Sequence, residues 1–120
     1  MSIEAVVADL ADFTIEENCW DNIVSIFCHL PVDLRKQVHA SAVRGLRSGG
    51  ILLLEAYTPQ QIQLGTGGPP VAEMTMTLEL LQDELKGLEF LHAEEKQREV
   101  VEGLYHTGTG AVVQVIARKP

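Results

Sequence analysis

Few side chains in these 120 residues are placed to do chemistry, and their spacing excludes most reaction types. His29 is the natural proton carrier, since an unperturbed imidazole titrates at roughly pH 6.5. It stands in Cys28-His29-Leu30-Pro31, where a structural role beside proline is the competing reading. Tyr57, at the end of an apolar run, is the second candidate catalytic residue. Cys19, Cys28 and His29 lack the paired close spacing of a zinc site, so no metal is expected. Asp9 and Asp12 make no acid–base pair, because nothing nearby would drive their pKa values apart. There is no nucleophile elbow, no P-loop and no His-Glu-x-x-His helix.

A glycine loop that cradles a cofactor must follow a strand and open a helix, so that its backbone N–H groups face the ligand. Gly65-Thr66-Gly67-Gly68 runs into Pro69-Pro70, which removes two donors. Gly108-Thr109-Gly110 leads into a strand instead. Neither has the context of a cofactor loop.

Seventeen acidic against nine basic residues give a net charge of −8, and no basic stripe offsets it, so binding to a nucleic-acid backbone is not expected. The length allows a single domain, residues 1–120, with one core. The longest uninterrupted apolar run is far too short to span a bilayer. Glu4 and Asp9 come early, with no basic region or sustained apolar segment before them, which predicts a cytoplasmic protein without a secretory signal. Cys19 and Cys28 flank apolar segments and read as buried free thiols.

The elements that must hold these groups are legible from patterning. Residues 5–8 read as a short strand that Asp9 leaves, and residues 20–27 as a strand covered on both faces. A helix follows through HLPVDLRKQVHASAVRGLRSGG. Pro31 and Asp33 suit its first turn, Arg44 and Arg47 its last, and Gly49-Gly50 its stop. Leu34, Val38, Ala42 and Leu46 give its apolar face. Residues 51–57 form a buried strand, so strand, helix and strand make a parallel unit. Residues 58–73 read as a loop. Thr77 caps a short helix that Gly87 ends. Strands over about 88–102 and 111–117, with a turn at 103–110, make an antiparallel pair. Within the first of these, Glu94, Glu95, Lys96, Arg98 and Glu99 read as a solvated face.

The stretches ADLADF, WDNIVSIFCHLP, LRSGGILLLEAYTPQQ, GTGGPP and GAVVQVIARKP, in this order and spacing, resemble the C-terminal two-thirds of class I S-adenosylmethionine-dependent methyltransferases. The likeness is to small bacterial enzymes of the tellurite-resistance type. It implies an α/β fold: a truncated, Rossmann-like methyltransferase sheet of parallel strands with a C-terminal antiparallel hairpin. In that family ADLADF ends the third strand, so the first two strands and the glycine-rich loop would precede this chain. By the resemblance, Asp9 would accept from the adenine amino group, Leu10 would lie beside the ring, and Ser25, Ile26 and Phe27 would end the fourth strand at the cofactor. The competing readings are a simple turn at Asp9 and ordinary core at Ile26 and Phe27. His29 and Tyr57 would face the methyl acceptor, where transfer depends largely on alignment.

The family's strand order, 3-2-1-4-5-7-6, implies that losing strands 1 and 2 exposes an edge on the strand at residues 23–27, which carries neither lysine nor proline to block pairing. About eight residues separate the first two strands, too few for a parallel crossover of roughly a dozen. A homodimer is therefore expected, through that edge or by exchange of the N-terminal strand. Whether the chain is an enzyme stays open. It is a methyltransferase that works alone or with a partner, a non-catalytic oligomerising module, or an incomplete gene product. With the cofactor cradle absent, no binding of S-adenosylmethionine by the chain alone is expected.

Overall fold

Two runs of β-branched and leucine residues build the first half of the sheet. Strand β1 (Trp20–Ile26) pairs in parallel with β2 (Leu46–Tyr57), with Val24 opposite Leu53. Helix α1 (Val32–Gly45) makes the crossover between them. Strand β3 (Glu89–Val101) and strand β4 (Thr107–Arg118) form the antiparallel hairpin, and β4 inserts beside β2, so the order is β1-β2-β4-β3. This order matches the last four positions, 4-5-7-6, of the sheet that the resemblance implies. The computed structural model describes residues 2–65, 69, 71–101 and 107–120, with backbone alone at 101 and 107.

The core lies on one side of the sheet. Leu52, Leu54, Ala56, Val113, Val115 and Ala117 point toward Met76, Leu81 and Leu85, the last two from or beside helix α3 (Leu78–Glu84). The Thr77 hydroxyl accepts from the Leu80 N–H at 3.1 Å, the N-cap that the sequence predicts. A smaller cluster of Tyr57, Val100 and Val112 packs with Phe27.

Helix α1 ends earlier than its pattern predicts. At Gly45 an added Cβ would lie 2.5 Å from Ile15 Cγ2, and Leu46 already enters the sheet, fully buried. Gly49 (φ +85°) and Gly50 serve instead an irregularity in the β1–β2 register. There Lys119 N–H donates to Gly50 O at 2.9 Å, and its ammonium reaches Leu46 O at 2.8 Å. The buried face of α1 is also not Leu34 and Val38, which are half-buried, but Arg35, His39, Ala42 and Gly45.

The predicted opening strand is absent: residues 2–9 have no regular structure, and Val7 is fully exposed at 104%. A strand needs a ladder partner, and the short connection to β1 cannot bring this segment parallel to it. Residues 58–73 are not simply loop; they hold α2 (Gln60–Leu64) and a 3-10 turn at Ala72–Met74. β4 begins at Thr107, so Gly108, Thr109 and Gly110 are strand, while 102–106 of the predicted turn lie outside the described residues. Part of the glycine stretch, 66–68, does too. The cysteines are half-buried, not buried. Among the described residues no helix is long and apolar enough to cross a membrane.

Candidate functional site

The carboxyl ends of β1 and β2 bring five sequence-predicted residues together. Ser25 and Ile26 end β1, and Phe27 follows in a left-handed conformation (φ +50°), its N–H donating to Glu55 O at 2.8 Å. A bulky side chain rarely takes that region, so this turn is held from outside. What holds it is a stack of rings: Phe27 on Tyr57 with centroids 4.6 Å apart, and Tyr57 on His29 at 5.5 Å. The Tyr57 N–H donates to His29 Nε2 at 3.0 Å. A backbone N–H can only donate, so that ring nitrogen acts as acceptor. The imidazole thereby brackets the chain leaving β1 to the end of β2. Beneath, the Ala111 N–H donates to Gln61 Oε1 at 2.8 Å, and the Met76 N–H donates to Tyr57 O at 2.9 Å.

Asp9 and Leu10 are elsewhere. The Asp9 carbonyl accepts from the N–H groups of Asp12 and Phe13 at 2.9 and 3.0 Å, and its carboxylate accepts from the Ala11 N–H at 2.9 Å. This is the turn that the competing reading describes. Leu10 lines a hollow against α1 with Phe13, Val38 and Arg44.

Two charged clusters escaped sequence reasoning. On the core side, Arg35 (2% exposed) grips the Glu84 carboxylate with Nε at 3.0 Å and Nη2 at 2.7 Å, and donates through Nη1 to Glu73 O at 3.0 Å. His39 Nδ1 meets the same carboxylate at 2.8 Å. Burial would raise the Glu84 pKa, but the hydrogen bonds from Arg35 and His39 outweigh it and hold it below the ordinary range. Burial lowers the His39 pKa, against the opposing pull of Glu84. On the other side, Arg98 and Gln114 both donate to Glu55, Arg98 Nε at 2.9 Å and Gln114 Nε2 at 2.7 Å. Here too burial pushes up while these donors win, so Glu55 stays below its usual value. Arg98 is thus half-buried against Glu55, while Glu95 stays exposed as predicted and its carboxylate accepts from the Leu78 N–H at 2.8 Å. No local spacing signals these contacts; Arg35 and Glu84 stand 49 positions apart.

The site supplies ring faces and backbone, with little that is reactive. The Cys19 pKa is raised by its hydrogen bond to Glu16, and the Cys28 pKa by burial, so neither thiol favours the thiolate. Among the described residues no group of three His, Cys, Asp or Glu could hold a metal. A cradle for a sulfonium nucleoside is likewise not formed among them. Gly49 and Gly108 lie within strands, while Gly65 caps α2 and Gly87 follows α3. Among the described residues, none of these glycines both follows a strand and opens a helix, as a cradle for the methionine end of S-adenosylmethionine would require.

No protein-family model matches the chain, and no curated protein sequence does. Solved structures do match. The chain is similar to TehB from Haemophilus influenzae, with 22% identity and a TM-score of 0.75, all of this chain covering 42% of that one. It is similar to a SAM-dependent methyltransferase from Methanosarcina mazei, with 14% identity and a TM-score of 0.68, covering 95% of this chain and 66% of that one. A third likeness is to an S-adenosylmethionine-dependent methyltransferase from Mesorhizobium loti, with 17% identity, a TM-score of 0.66, and coverage of 93% and 67%. The fold is thus that of the class I methyltransferases, and the chain spans from 42% to 67% of the length of these three structures.

Proposed function

We propose that the chain is one part of a methyltransferase-type domain whose S-adenosylmethionine site closes only when further strands join β1. One observation carries this reading: β1, which bears Ser25 and Ile26 at its carboxyl end, is the edge of the sheet. Ligands of open α/β sheets sit in the crevice between two such strand ends. Here β2 supplies one wall, and among the described strands none supplies the other. The methyl acceptor would meet Tyr57 and His29, with His29 positioning the rings, and Asp9 would reach the adenine only after leaving its turn.

By this reading the isolated chain does not bind S-adenosylmethionine. Titration calorimetry of the purified chain should give no heat of binding. A dissociation constant in the micromolar range, about −8 kcal/mol, would overturn the proposal.

The second reading, a non-catalytic oligomerising module, is favoured by the exposed apolar residues of β1, Trp20, Val24 and Ile26. While no further strands join β1, either reading gives the isolated chain a partner, a second copy held through the β1 edge or by an exchanged N-terminal segment. The two free cysteines suit a reducing bacterial cytoplasm.

A further inference from the structure

The side of the sheet opposite the core is divided in a way that follows strand direction. Over the antiparallel half its charges are paired: Arg118 with Glu89 at 2.8 Å, Lys96 with Glu94 at 3.3 Å, and Arg98 with Glu55. Antiparallel strands can face water on one side. Over the parallel half the same side carries Val24 (65% exposed), Ile26 and Leu53, running on to Ile116. Parallel strands are ordinarily covered on both faces. The apolar zone spans β1, β2 and part of β4, about 10 Å across at the usual strand spacing. That is the width of one helix, about 10 Å.

The chain itself carries an unpartnered segment of matching character. Ile3, Val6, Val7 and Leu10 are exposed and recur at i, i+3, i+4 and i+7, the stripe of an amphipathic helix. The residues between them are Glu4, Ala5, Ala8 and Asp9, with alanine the best helix former and Ser2 placed as an N-cap. A nucleus exists already, because the N–H groups of Asp12 and Phe13 both donate to Asp9 O. A helix this short is marginal in water on its own, which accounts for the irregular backbone of residues 2–9 in the free chain.

We propose that residues 3–13 of one copy fold as a helix on the bare sheet face of a second copy, with Ile3, Val6 and Val7 seated over Val24, Ile26 and Leu53. The occupant is a second copy because of where the segment starts. Leu10, Phe13 and Ile15 line the hollow against α1, and Ile15 lies against Gly45, so the helix would grow from the core side of its own sheet. Its own bare face lies around the β1 edge, whereas a two-fold exchange seats both helices. This rests on the proposed partnership of two copies and names its contact, a helix on the sheet face where the sequence suggested an added strand.

The test is sedimentation velocity with far-UV circular dichroism across a concentration series, on the wild type and two variants. Val7→Asp alters a side chain wholly in solvent in the free chain, so it cannot unfold the monomer. Asn22→Pro blocks strand addition at β1. The Phe27 N–H points to β2, so by two-residue alternation the Asn22 N–H points outward, and proline is tolerated on an edge. The wild type should dimerise with a gain of about ten helical residues. Val7→Asp should weaken the dimer at least tenfold and abolish that gain, and Asn22→Pro should leave both intact. Any other pattern overturns the helix docking. A dimer lost only in Asn22→Pro would place the partner on the edge and leave the proposed partnership standing; a monomeric wild type would end both.

Discussion

Replacing Glu84 by leucine is the sharpest probe of what holds the helices to each other. The carboxylate accepts three hydrogen bonds from Arg35, two of them shared by Nε, and faces His39 Nδ1, and both ion-pairing side chains are nearly dry, 3% and 5% exposed. Without it the guanidinium keeps only the Glu73 carbonyl. Breaking a buried pair from one side costs about 3–5 kcal/mol, a large part of the roughly 5–15 kcal/mol that stabilises a domain. At about 4 °C per kcal/mol for a chain of this size, Tm should fall by roughly 12–20 °C. The double variant Arg35→Met/Glu84→Leu removes both charges and should recover more than half of the loss, since apolar residues of similar volume replace buried pairs at little cost. Urea unfolding at pH 7, followed by circular dichroism, gives both numbers. A single-variant cost below about 1 kcal/mol would refute this account, and so would a double variant no more stable than the single one.

Two smaller expectations accompany it. Thr77→Ala removes the acceptor for the Leu80 N–H and should cost about 1 kcal/mol in the same urea assay, with Thr77→Ser close to wild type. Acid should destabilise the chain in two stages. His39, lowered from its ordinary 6.5, leaves the unfolded chain to take up the proton first, so stability falls as pH drops below about 6.5. Glu84 and Glu55, lowered from 4.5, contribute stability that is present above that value and lost as pH falls through their depressed folded values. Thermal melts at pH 7.5, 5.5 and 4 should therefore decline in that order, and a higher Tm at pH 5.5 than at 7.5 would contradict the assignment.

Where local pattern and tertiary packing agree, the sequence is readable. Val112, Val113, Val115 and Ile116 could only be strand, and Thr77 before Leu78 could only open a helix. The failures have a common cause in contacts distant along the chain. The hydrophobic spacing of α1 points to Leu34 and Val38, yet Arg35 and His39 turn inward because Glu84 and the Glu73 carbonyl wait there. Gly49-Gly50 resembles a helix stop, but Lys119, seventy residues on, uses that kink to fasten the end of β4. Residues 5–8 have strand composition and no neighbour to pair with, and composition alone makes no ladder. At the site, His29 and Tyr57 were visible as residue types, while the hydrogen bond that joins them was not.

The place of β4 in the sheet bears on how the molecule comes into being. Of the four described strands it is the last to be made, yet it sits between β2 and β3 and bonds to both. Until it arrives, β2 and β3 have no bond to each other, and Leu54 lacks the Val115 that lies opposite it. The nascent polypeptide thus carries two unzipped seams until β4 is made, and these four strands can close into one sheet only after its residues emerge.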